Sequence, residues 1–244
     1  MWDTACILNL KKDKHRLDRL KQDLKTENLK AIKCVEGVNG YDFVPYGNQI
    51  KNSKKSKKKK LLKKMRSKLL KNNVIKNTNY RQMRIGEIGC TLSHRNTMIY
   101  ALKKGYNQIL ILEDDARILP NFLENLEKIK DYIPKDCDLL YLGLNKINHK
   151  WGSFKKINKY VDKPLGSKKY ANHPDSEGAI YGAHGYIINR KAMKEYIKHT
   201  KPMTYVSDVT LGKIATIHKK FNAYCVHKNL IDTYKFGSNT QLLK

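Results

Sequence analysis

The stretch Ile109-Leu110-Ile111-Leu112-Glu113-Asp114-Asp115 decides how this chain folds. Four branched aliphatic residues in succession predict a strand that is buried on both faces, as in a parallel sheet covered by helices. Three adjacent carboxylates are costly to bury in such a core. We therefore expect them at the carboxyl end of the strand, where open α/β sheets bind their ligands. Because side chains alternate along a strand, Glu113 and Asp115 should share one face, with Asp114 on the other.

Clustered carboxylates at the edge of a sheet suit a hard cation such as Mn²⁺ or Mg²⁺, with a phosphorylated ligand completing the coordination shell. On spacing alone a second interpretation stays open, in which the strand is followed by an acidic turn that caps a helix. The stretch therefore predicts a cation site, and a purely structural turn is the alternative.

The segments around this strand predict an α/β fold. Residues 5–10 form an apolar strand pattern, 14–25 carry leucines at helical spacing, and 31–35 form a second strand pattern. This β-α-β opening indicates parallel strands with a right-handed crossover. Further helices are predicted at 86–102, 121–133 and 190–197, and further strands at 138–143, 179–189 and 224–226. We expect a single domain, residues 1–244, with a mostly parallel central sheet flanked by helices.

The net charge of +28 is extreme for 244 residues, and much of it is local. Eleven Lys and one Arg lie between Lys51 and Lys71, without any Asp or Glu. We expect a Lys-rich insert at about 50–75 that is solvated and partly disordered. The alternative is an amphipathic helix whose Lys54–Lys64 segment binds an anionic acceptor, a nucleic acid or a membrane surface. The tail from about residue 233 lacks periodicity and is expected to be poorly defined.

The five cysteines show no CxxC spacing, so the sequence does not support a zinc site of spaced cysteines. Buried free thiols in a reducing compartment are the simpler interpretation. We recognise no signal-peptide pattern and no apolar stretch long enough to span a bilayer. These features predict a cytoplasmic protein, whether a viral protein in host cytoplasm or one peripheral to a membrane.

Several segments, in their order along the chain, resemble glycosyltransferase family 25, which includes lipooligosaccharide galactosyltransferases and collagen hydroxylysine galactosyltransferases. The most specific is GEIGCTLSH at residues 86–94. It is accompanied by ILNL at 7–10, EGVNG at 36–40, LEDDA at 112–116 and LYLG at 140–143. The resemblance covers about residues 5–235 apart from the basic insert.

This resemblance implies a GT-A-like fold that binds a UDP-sugar and a divalent cation, usually Mn²⁺. It implies transfer of a sugar, most often galactose, with inversion at the sugar carbon. The acceptor would be a hydroxyl of a glycan or of a hydroxylysine-type side chain. The acids at 113–115 would then take the role of the metal-binding DxD motif of such folds.

Within that resemblance we predict Asp115 as the direct metal ligand, with Asp114 and His227 as further ligands. Asp208 is the predicted general base, although an Asp at that position also suits a helix N-cap. The predicted donor-binding residues are Asn9, Arg16, Arg19, Glu87, Ser93, His94, Glu113, Asp114 and His184. Structural alternatives remain for several of these: exposed helix residues for the two arginines, a buried hydrogen-bonding role for His94 and a plain loop for His184.

Two other functions stay open from the sequence. The Lys-rich run is compatible with a nucleic-acid-binding or other polyanion-binding protein, although the aromatic-and-basic interleaving of a stacking surface is missing. An inactive glycosyltransferase-like interaction module is the other alternative. The intact acidic triplet favours an enzyme over both.

Overall fold

The computed structural model describes residues 1–29, 32–77, 82–144, 153–168 and 176–234, which fold around one large sheet. Its strands, with a small separate pair, are β1 (Thr4–Asn9), β2 (Ile32–Glu36), β3 (Gln108–Glu113), β4 (Ala116–Ile118), β5 (Leu139–Gly143), β6 (Ser153–Lys156), β7 (Val161–Gly166), β8 (Gly185–Asn189), β9 (Ala223–Val226) and β10 (Ile231–Thr233). The helices are α1 (Lys14–Thr26), α2 (Gly40–Phe43), α3 (Gly47–Lys51), α4 (Lys55–Lys71), α5 (Ile85–Lys103), α6 (Phe122–Ile129), α7 (Arg190–His199) and α8 (Ser207–Thr216). Short 3₁₀ turns lie at Lys11–Asp13 and Lys130–Tyr132.

The large sheet has eight strands in the order β2-β1-β3-β8-β5-β9-β7-β6, and β4 pairs with β10 in a separate two-stranded sheet. Strands β1, β2 and β3 are mutually parallel, and so are β5 and β9. Only β8 and β7 run against the direction of the other six described strands. The predicted α/β fold with a mostly parallel central sheet flanked by helices is confirmed.

Alternation of side chains along the central strands builds one core on each face of the sheet. From β3, Ile109 and Ile111 point into a core shared with α5, α7 and α8. Leu110 and Leu112 point to the opposite face, where α1 and α6 cover the sheet. All four aliphatics are fully buried, as expected for a strand with helices on both sides.

The basic insert is a 17-residue helix, α4, and not the partly disordered segment that its composition suggests. Leu61, Met65 and Leu69 follow one another at helical spacing and are buried. They join a third core that contains Ile50, Ile88 and other apolar residues of α2, α3 and α5. Residues 55–71 therefore form an amphipathic helix with one buried face.

Two further sequence expectations need correction or fall outside the described residues. The sequence analysis predicts no strand between residues 143 and 179, but this region contains β6 and β7, an antiparallel pair. Most of the remaining loop residues there, and the tail at 235–244, lie outside the described residues. Among the described helices, none combines the length and the hydrophobicity needed to cross a bilayer.

Candidate active site

A cavity of about 390 Å³ lies at the carboxyl ends of β1, β2 and β3. Its walls come from the ends of β1 and β3, the loop after β2, and residues of α1 and α5. Because the three strands are parallel, their carboxyl ends meet at the same edge of the sheet. All three acids at 113–115 line this cavity.

Asp115 is the acid with the fewest partners. Its Oδ1 has neither solvent contact nor a hydrogen-bond partner among the described residues. Burial, reinforced by the neighbouring charges of Glu113 and Asp114, raises the pKa of this carboxyl to about 7. An unpartnered carboxylate oxygen beside two further acids is a group that a cation would neutralise.

Asp114 is held by two side chains that sequence analysis had assigned to the same site. Asn9 Nδ2 donates to Asp114 Oδ2 at 2.8 Å, and Arg16 Nη1 lies 3.4 Å from Asp114 Oδ1. Burial raises the pKa of Asp114, while Asn9 and Arg16 partly offset that rise. Asn9 and Arg16 thus fix the middle carboxylate in position.

His94 is fully buried and joins Glu113 to the interior of the sheet. Its Nδ1 lies 2.7 Å from the hydroxyl of Tyr186, and its Nε2 lies 3.0 Å from Glu113 Oε1. The ring also stacks on Tyr186, with centroids 5.8 Å apart. His94 therefore orients Glu113 at the cavity. It is the buried hydrogen-bonding residue of one interpretation and also the site residue of the other.

The loop after β2 is fastened to α5 by close backbone packing. Ser93 Oγ accepts from Val38 N–H at 2.8 Å and donates to the carbonyl of Gly89 at 2.8 Å. A Cβ at Gly89 would lie 2.5 Å from the Val38 carbonyl oxygen, so only glycine allows this approach. Ser93 lines the cavity, but its hydroxyl is engaged in these two hydrogen bonds.

The lining residues that the sequence analysis did not predict include Lys12, Tyr41, Lys51 and Cys90. With Arg16, the two lysines give the cavity three cationic side chains facing three carboxylates. Lys12 and Lys51 sit among many other lysines, so composition gave no signal for them. Cys90 lies inside the GEIGCTLSH segment, and the one-turn spacing to His94 was a signal that could have drawn attention to it.

Two sets of residues in this cavity could hold a metal ion. Asp115 and Asp114 offer only oxygen atoms, which suit Mn²⁺ or Mg²⁺. Cys90, His94 and Glu113 offer one atom each, all within 4.8 Å of one another, and sulfur with nitrogen suits a softer cation such as Zn²⁺. Burial and the Glu113 charge raise the pKa of the Cys90 thiol well above its usual value, which disfavours the thiolate that a softer cation needs.

Three predicted donor-binding residues do not line the cavity. Arg19 is exposed, and its Nε donates to the Tyr234 hydroxyl at 3.0 Å. Glu87 accepts from Arg84 N–H at 2.7 Å in a capping box at the start of α5. His184 is buried behind β3, where its carbonyl accepts from Glu113 N–H at 3.0 Å.

The predicted base and the predicted late metal ligand lie on other elements. Asp208 is in the first turn of α8, where its carboxylate accepts from Gly182 N–H at 3.1 Å and from Val209 N–H at 2.7 Å. Burial raises its pKa, and the Glu113 charge adds to that rise. His227 follows β9, separated from β3 by two strands, and its Nδ1 lies 3.0 Å from Asp162 Oδ2. The structure does not bring His227 to the acids at 113–115.

Known proteins resemble the chain over most of its length. Residues 3–211 match the family described as "Glycosyltransferase family 25 (LPS biosynthesis protein)". A glycosyltransferase 25 family member of Drosophila melanogaster is 39% identical over 70 residues, which are 28% of this chain and 11% of that protein. Procollagen galactosyltransferase 2 of Homo sapiens is 28% identical over 152 residues, 61% of this chain and 22% of that protein. The family match confirms the resemblance that the motifs indicate.

Not every similar protein is described as active. The inactive glycosyltransferase 25 family member 3 of Homo sapiens is 35% identical over 66 residues, 26% of this chain and 11% of that protein. The chain thus spans between 11% and 22% of the length of these three relatives. Among solved structures, a UDP-glucose pyrophosphorylase complexed with UDP-glucose matches with a TM-score of 0.47 and 12% identity, over 94% of this chain and 91% of that one. At this TM-score the similarity says nothing about function.

Proposed function

Since this chain belongs to glycosyltransferase family 25, we propose that it is a metal-dependent, inverting glycosyltransferase with a GT-A-like fold. The proposed donor is a UDP-sugar, with galactose as the sugar, and the proposed acceptor is a hydroxyl of a glycan or of a hydroxylysine-type side chain. Family membership and the similarity to procollagen galactosyltransferase 2 support the reaction class.

One observation carries this proposal: three carboxylates line a cavity at the carboxyl edge of the sheet, and one of them has a buried oxygen without a partner. Three cationic side chains, Lys12, Arg16 and Lys51, line the same cavity. A nucleoside diphosphate bound with a divalent cation would satisfy both sets of charges, because its phosphates attract the cations and its metal attracts the acids.

In the proposed reaction the acceptor oxygen attacks the anomeric carbon, while the bond from that carbon to the diphosphate breaks. UDP leaves with the bonding electron pair, and the acceptor proton passes to a carboxylate. Asp208 is the proposed base: it does not line the cavity, but its buried carboxyl interacts electrostatically with Glu113 and His94, which do. Lys12, Arg16 and Lys51 would bind the diphosphate and favour its departure.

Asp115 and Asp114 are the proposed ligands of the cation, which would neutralise the leaving diphosphate as a Lewis acid. Asp115 fits this role because its Oδ1 is free to coordinate. Asn9 and Arg16 hold Asp114 so that its remaining lone pairs face a fixed direction. Glu113, oriented by His94, is the proposed contact to the ribose or to a ligand of the cation.

The test is release of UDP from a panel of UDP-sugars, measured with Mn²⁺, with Mg²⁺ and with EDTA. We expect release that is selective for one donor and abolished by EDTA. Release that is indifferent to EDTA would contradict the metal dependence. Absence of both UDP release and UDP binding would favour the alternative of an inactive glycosyltransferase-like interaction module. A similar protein is itself described as inactive.

The choice between the two metal sets has its own test. Cys90→Ser removes the soft ligand and leaves the carboxylates untouched. If Asp115 and Asp114 hold the cation, Mn²⁺-dependent release should persist in this variant. Loss of Mn²⁺ dependence in Cys90→Ser, with the fold intact, would assign the cation to Cys90, His94 and Glu113 instead.

The basic Lys54–Lys64 segment is a second proposed contact, for a partner of negative charge. Most of its lysines are exposed, and the neighbouring Lys51 lines the cavity. A partner held there would lie beside the proposed donor site.

A further inference from the structure

The chain concentrates positive charge on one segment and excludes negative charge from it. All 22 acidic residues lie outside the segment Phe43–Gly86. A general preference for lysine would raise the number of lysines without removing Asp and Glu. The absence of acids is therefore a property of this segment and needs its own explanation.

The lysines of α4 are not neutralised by carboxylates of the described residues. In the described part of the chain, no carboxylate lies within 4.0 Å of an ammonium group of this helix. Like charges also repeat one helical turn apart, for example at Lys55 and Lys59 and at Lys60 and Lys64, an arrangement that destabilises a helix. Folding thus tolerates this charge without drawing stability from it.

The opposite side of α4 anchors the helix and leaves the basic side free. Leu61, Met65 and Leu69 are buried in the third core, so the apolar face is already covered. Eight lysines of α4 are exposed. We call four of them, Lys60, Lys63, Lys64 and Lys71, the basic face.

Two exposed aromatic side chains lie in the segment that precedes α4. Phe43, the last residue of α2, is 44% exposed, and Tyr46, just before α3, is 38% exposed. The ammonium of Lys68 lies 5.8 Å from the centre of the Tyr46 ring, so Tyr46 lies beside the lysines of α4. Lysines flanked by aromatic side chains are typical of surfaces that rest on the headgroup region of a bilayer.

We propose that the basic face of α4, with Phe43 and Tyr46 beside it, docks the protein on a bilayer that contains anionic lipids. The lysines would be attracted to the negative surface, and the two aromatic side chains would enter the headgroup region. Lys51 links this surface to the cavity, so docking holds the cavity close to the lipid surface. The proposal concerns binding alone and does not depend on the transferase activity.

The composition of the surface favours a bilayer over a nucleic acid. Between Lys51 and Lys71 there are eleven Lys and one Arg. Lys attracts a diffuse negative surface, whereas Arg provides the planar fork that reads individual phosphates. Phe43 and Tyr46 both precede α4 in the sequence, so aromatic residues do not alternate with its lysines as they would on a surface that stacks successive bases.

Vesicle co-sedimentation tests the proposal with the full chain. We expect binding to vesicles of phosphatidylcholine mixed with phosphatidylglycerol, and none to vesicles of phosphatidylcholine alone. Binding should weaken as salt rises, since the attraction is screened over a Debye length of about 8 Å at ~0.15 M salt. The quadruple variant Lys60→Gln, Lys63→Gln, Lys64→Gln, Lys71→Gln should bind the mixed vesicles about a hundredfold more weakly.

A charge-matched control separates a local surface from net charge. The variant Lys21→Gln, Lys25→Gln, Lys194→Gln, Lys220→Gln removes four exposed lysines from α1, α7 and the loop after α8. Its vesicle binding should stay within about twofold of the original chain. An equal loss in both quadruple variants would overturn the proposal, and circular dichroism checks that each remains folded.

Phe43→Ser separates a bilayer from a soluble polyanion. It should weaken vesicle binding severalfold and leave binding to heparin unchanged, because heparin offers no apolar region. If the chain binds heparin or RNA more tightly than mixed vesicles at the same salt, and Phe43→Ser changes neither, the partner is a polyanion and the bilayer proposal is wrong.

Discussion

Asp115 differs from its two acidic neighbours in what surrounds it. Asp114 has Asn9 and Arg16, and Glu113 has His94, but Asp115 Oδ1 has no partner among the described residues. The three carboxylates are adjacent in sequence, yet among them only Asp115 has a buried oxygen without a hydrogen-bond partner in the described part of the chain. The difference comes from the neighbouring elements and not from the triplet itself.

Asp115→Asn should abolish cation-dependent UDP release, a loss of at least about a hundredfold, because an amide is a weak ligand for Mn²⁺. The measurement is UDP release as a function of Mn²⁺ concentration. Asp131→Asn, which removes an exposed carboxylate away from the cavity, is the matched control and should be neutral. Full Mn²⁺-dependent activity in Asp115→Asn would remove Asp115 from the metal site.

Tyr186→Phe and Tyr141→Phe make a matched pair of substitutions in the core. Both rings are fully buried, but the Tyr186 hydroxyl bonds His94 at 2.7 Å, whereas the Tyr141 hydroxyl has no partner among the described residues. Tyr186→Phe should lower the free energy of unfolding by about 1–3 kcal/mol. Tyr141→Phe should leave it unchanged or raise it, since a buried unsatisfied hydroxyl is removed.

Denaturant unfolding of both variants measures this difference. Equal effects of the two substitutions would mean that the His94 hydrogen bond contributes nothing to stability. Tyr186→Phe should in addition loosen Glu113, which His94 orients, so a reduced affinity for the nucleotide is expected in that variant alone.

The side chains of the site could be predicted from sequence only where they belonged to a recognisable motif. Asn9, Arg16, Ser93, His94 and the acids were predicted and line the cavity. Lys12 and Lys51 were not, because one lysine among many carries no positional signal. His227 was expected near the acids, and strand order, which local sequence does not encode, puts two strands between it and β3.

Among the elements, the start of β5 is tied to two neighbours by a single carboxylate. Asp138 accepts from Lys191 Nζ at 2.7 Å, from Asn222 N–H at 2.9 Å and from Asn189 Nδ2 at 2.9 Å. Burial alone would raise its pKa, but these bonds outweigh burial and leave the pKa below its usual value. Asp138 thus links the starts of β5, α7 and β9.

The pKa of Asp138 is lower in the folded state than in the unfolded state, where it is about 4. Ionised Asp138 therefore stabilises the fold fully at pH values above the unfolded pKa. This contribution is lost as pH falls through the folded pKa. Asp138→Asn should therefore reduce the free energy of unfolding by about 1–2 kcal/mol at neutral pH. The deficit should shrink below about pH 4. Thermal unfolding across pH measures it, with Asp131→Asn as the exposed control; a deficit independent of pH would contradict the ionic role.

The helix α4 depends on its buried stripe. Met65 is 3% exposed in the third core, so Met65→Ala should cost about 2–4 kcal/mol. Hydrogen exchange should show faster opening of α4, because local packing is what holds this charged helix in place. Ser67→Ala, on the exposed side, should change neither quantity. Unaltered exchange in Met65→Ala would mean that the stripe does not anchor the helix.

Most elements followed from hydrophobic periodicity, and the exceptions have physical causes. The patterns at 14–25 and 86–102 became α1 and α5 within a few residues, because a leucine or isoleucine stripe fixes the buried face. In α4 the sequence allowed an amphipathic helix, but the run of charge favoured the expectation of a partly disordered insert. Strands β6 and β7 were missed because β6 is an exposed edge strand and because Asp, Lys and Pro interrupt the aliphatic pattern of β7.

For the whole molecule, the main feature that local sequence could not predict is the position of β8. This late strand runs antiparallel between β3 and β5, so it joins the first half of the chain to the second. A chain that stops at residue 144 would leave the aliphatic edge of β3 without its neighbour. Open apolar edges pair with other copies.

A chain that ends at residue 144 should therefore self-associate, although it contains α1 to α6 and the complete acidic stretch. Light scattering and size-exclusion chromatography, with the full chain as control, measure this. A monodisperse, folded monomer of residues 1–144 would show that β8 is dispensable for closing the sheet.

All residues that line the cavity precede Ala116 in the sequence. However, the N–H of Glu113 donates a hydrogen bond to the carbonyl of His184, which is synthesised about seventy residues later. A nascent chain therefore contains every residue that lines the cavity before it contains the strand that aligns Glu113. A product terminated before β8 would also lack Asp208, the proposed base, so we expect it to be inactive.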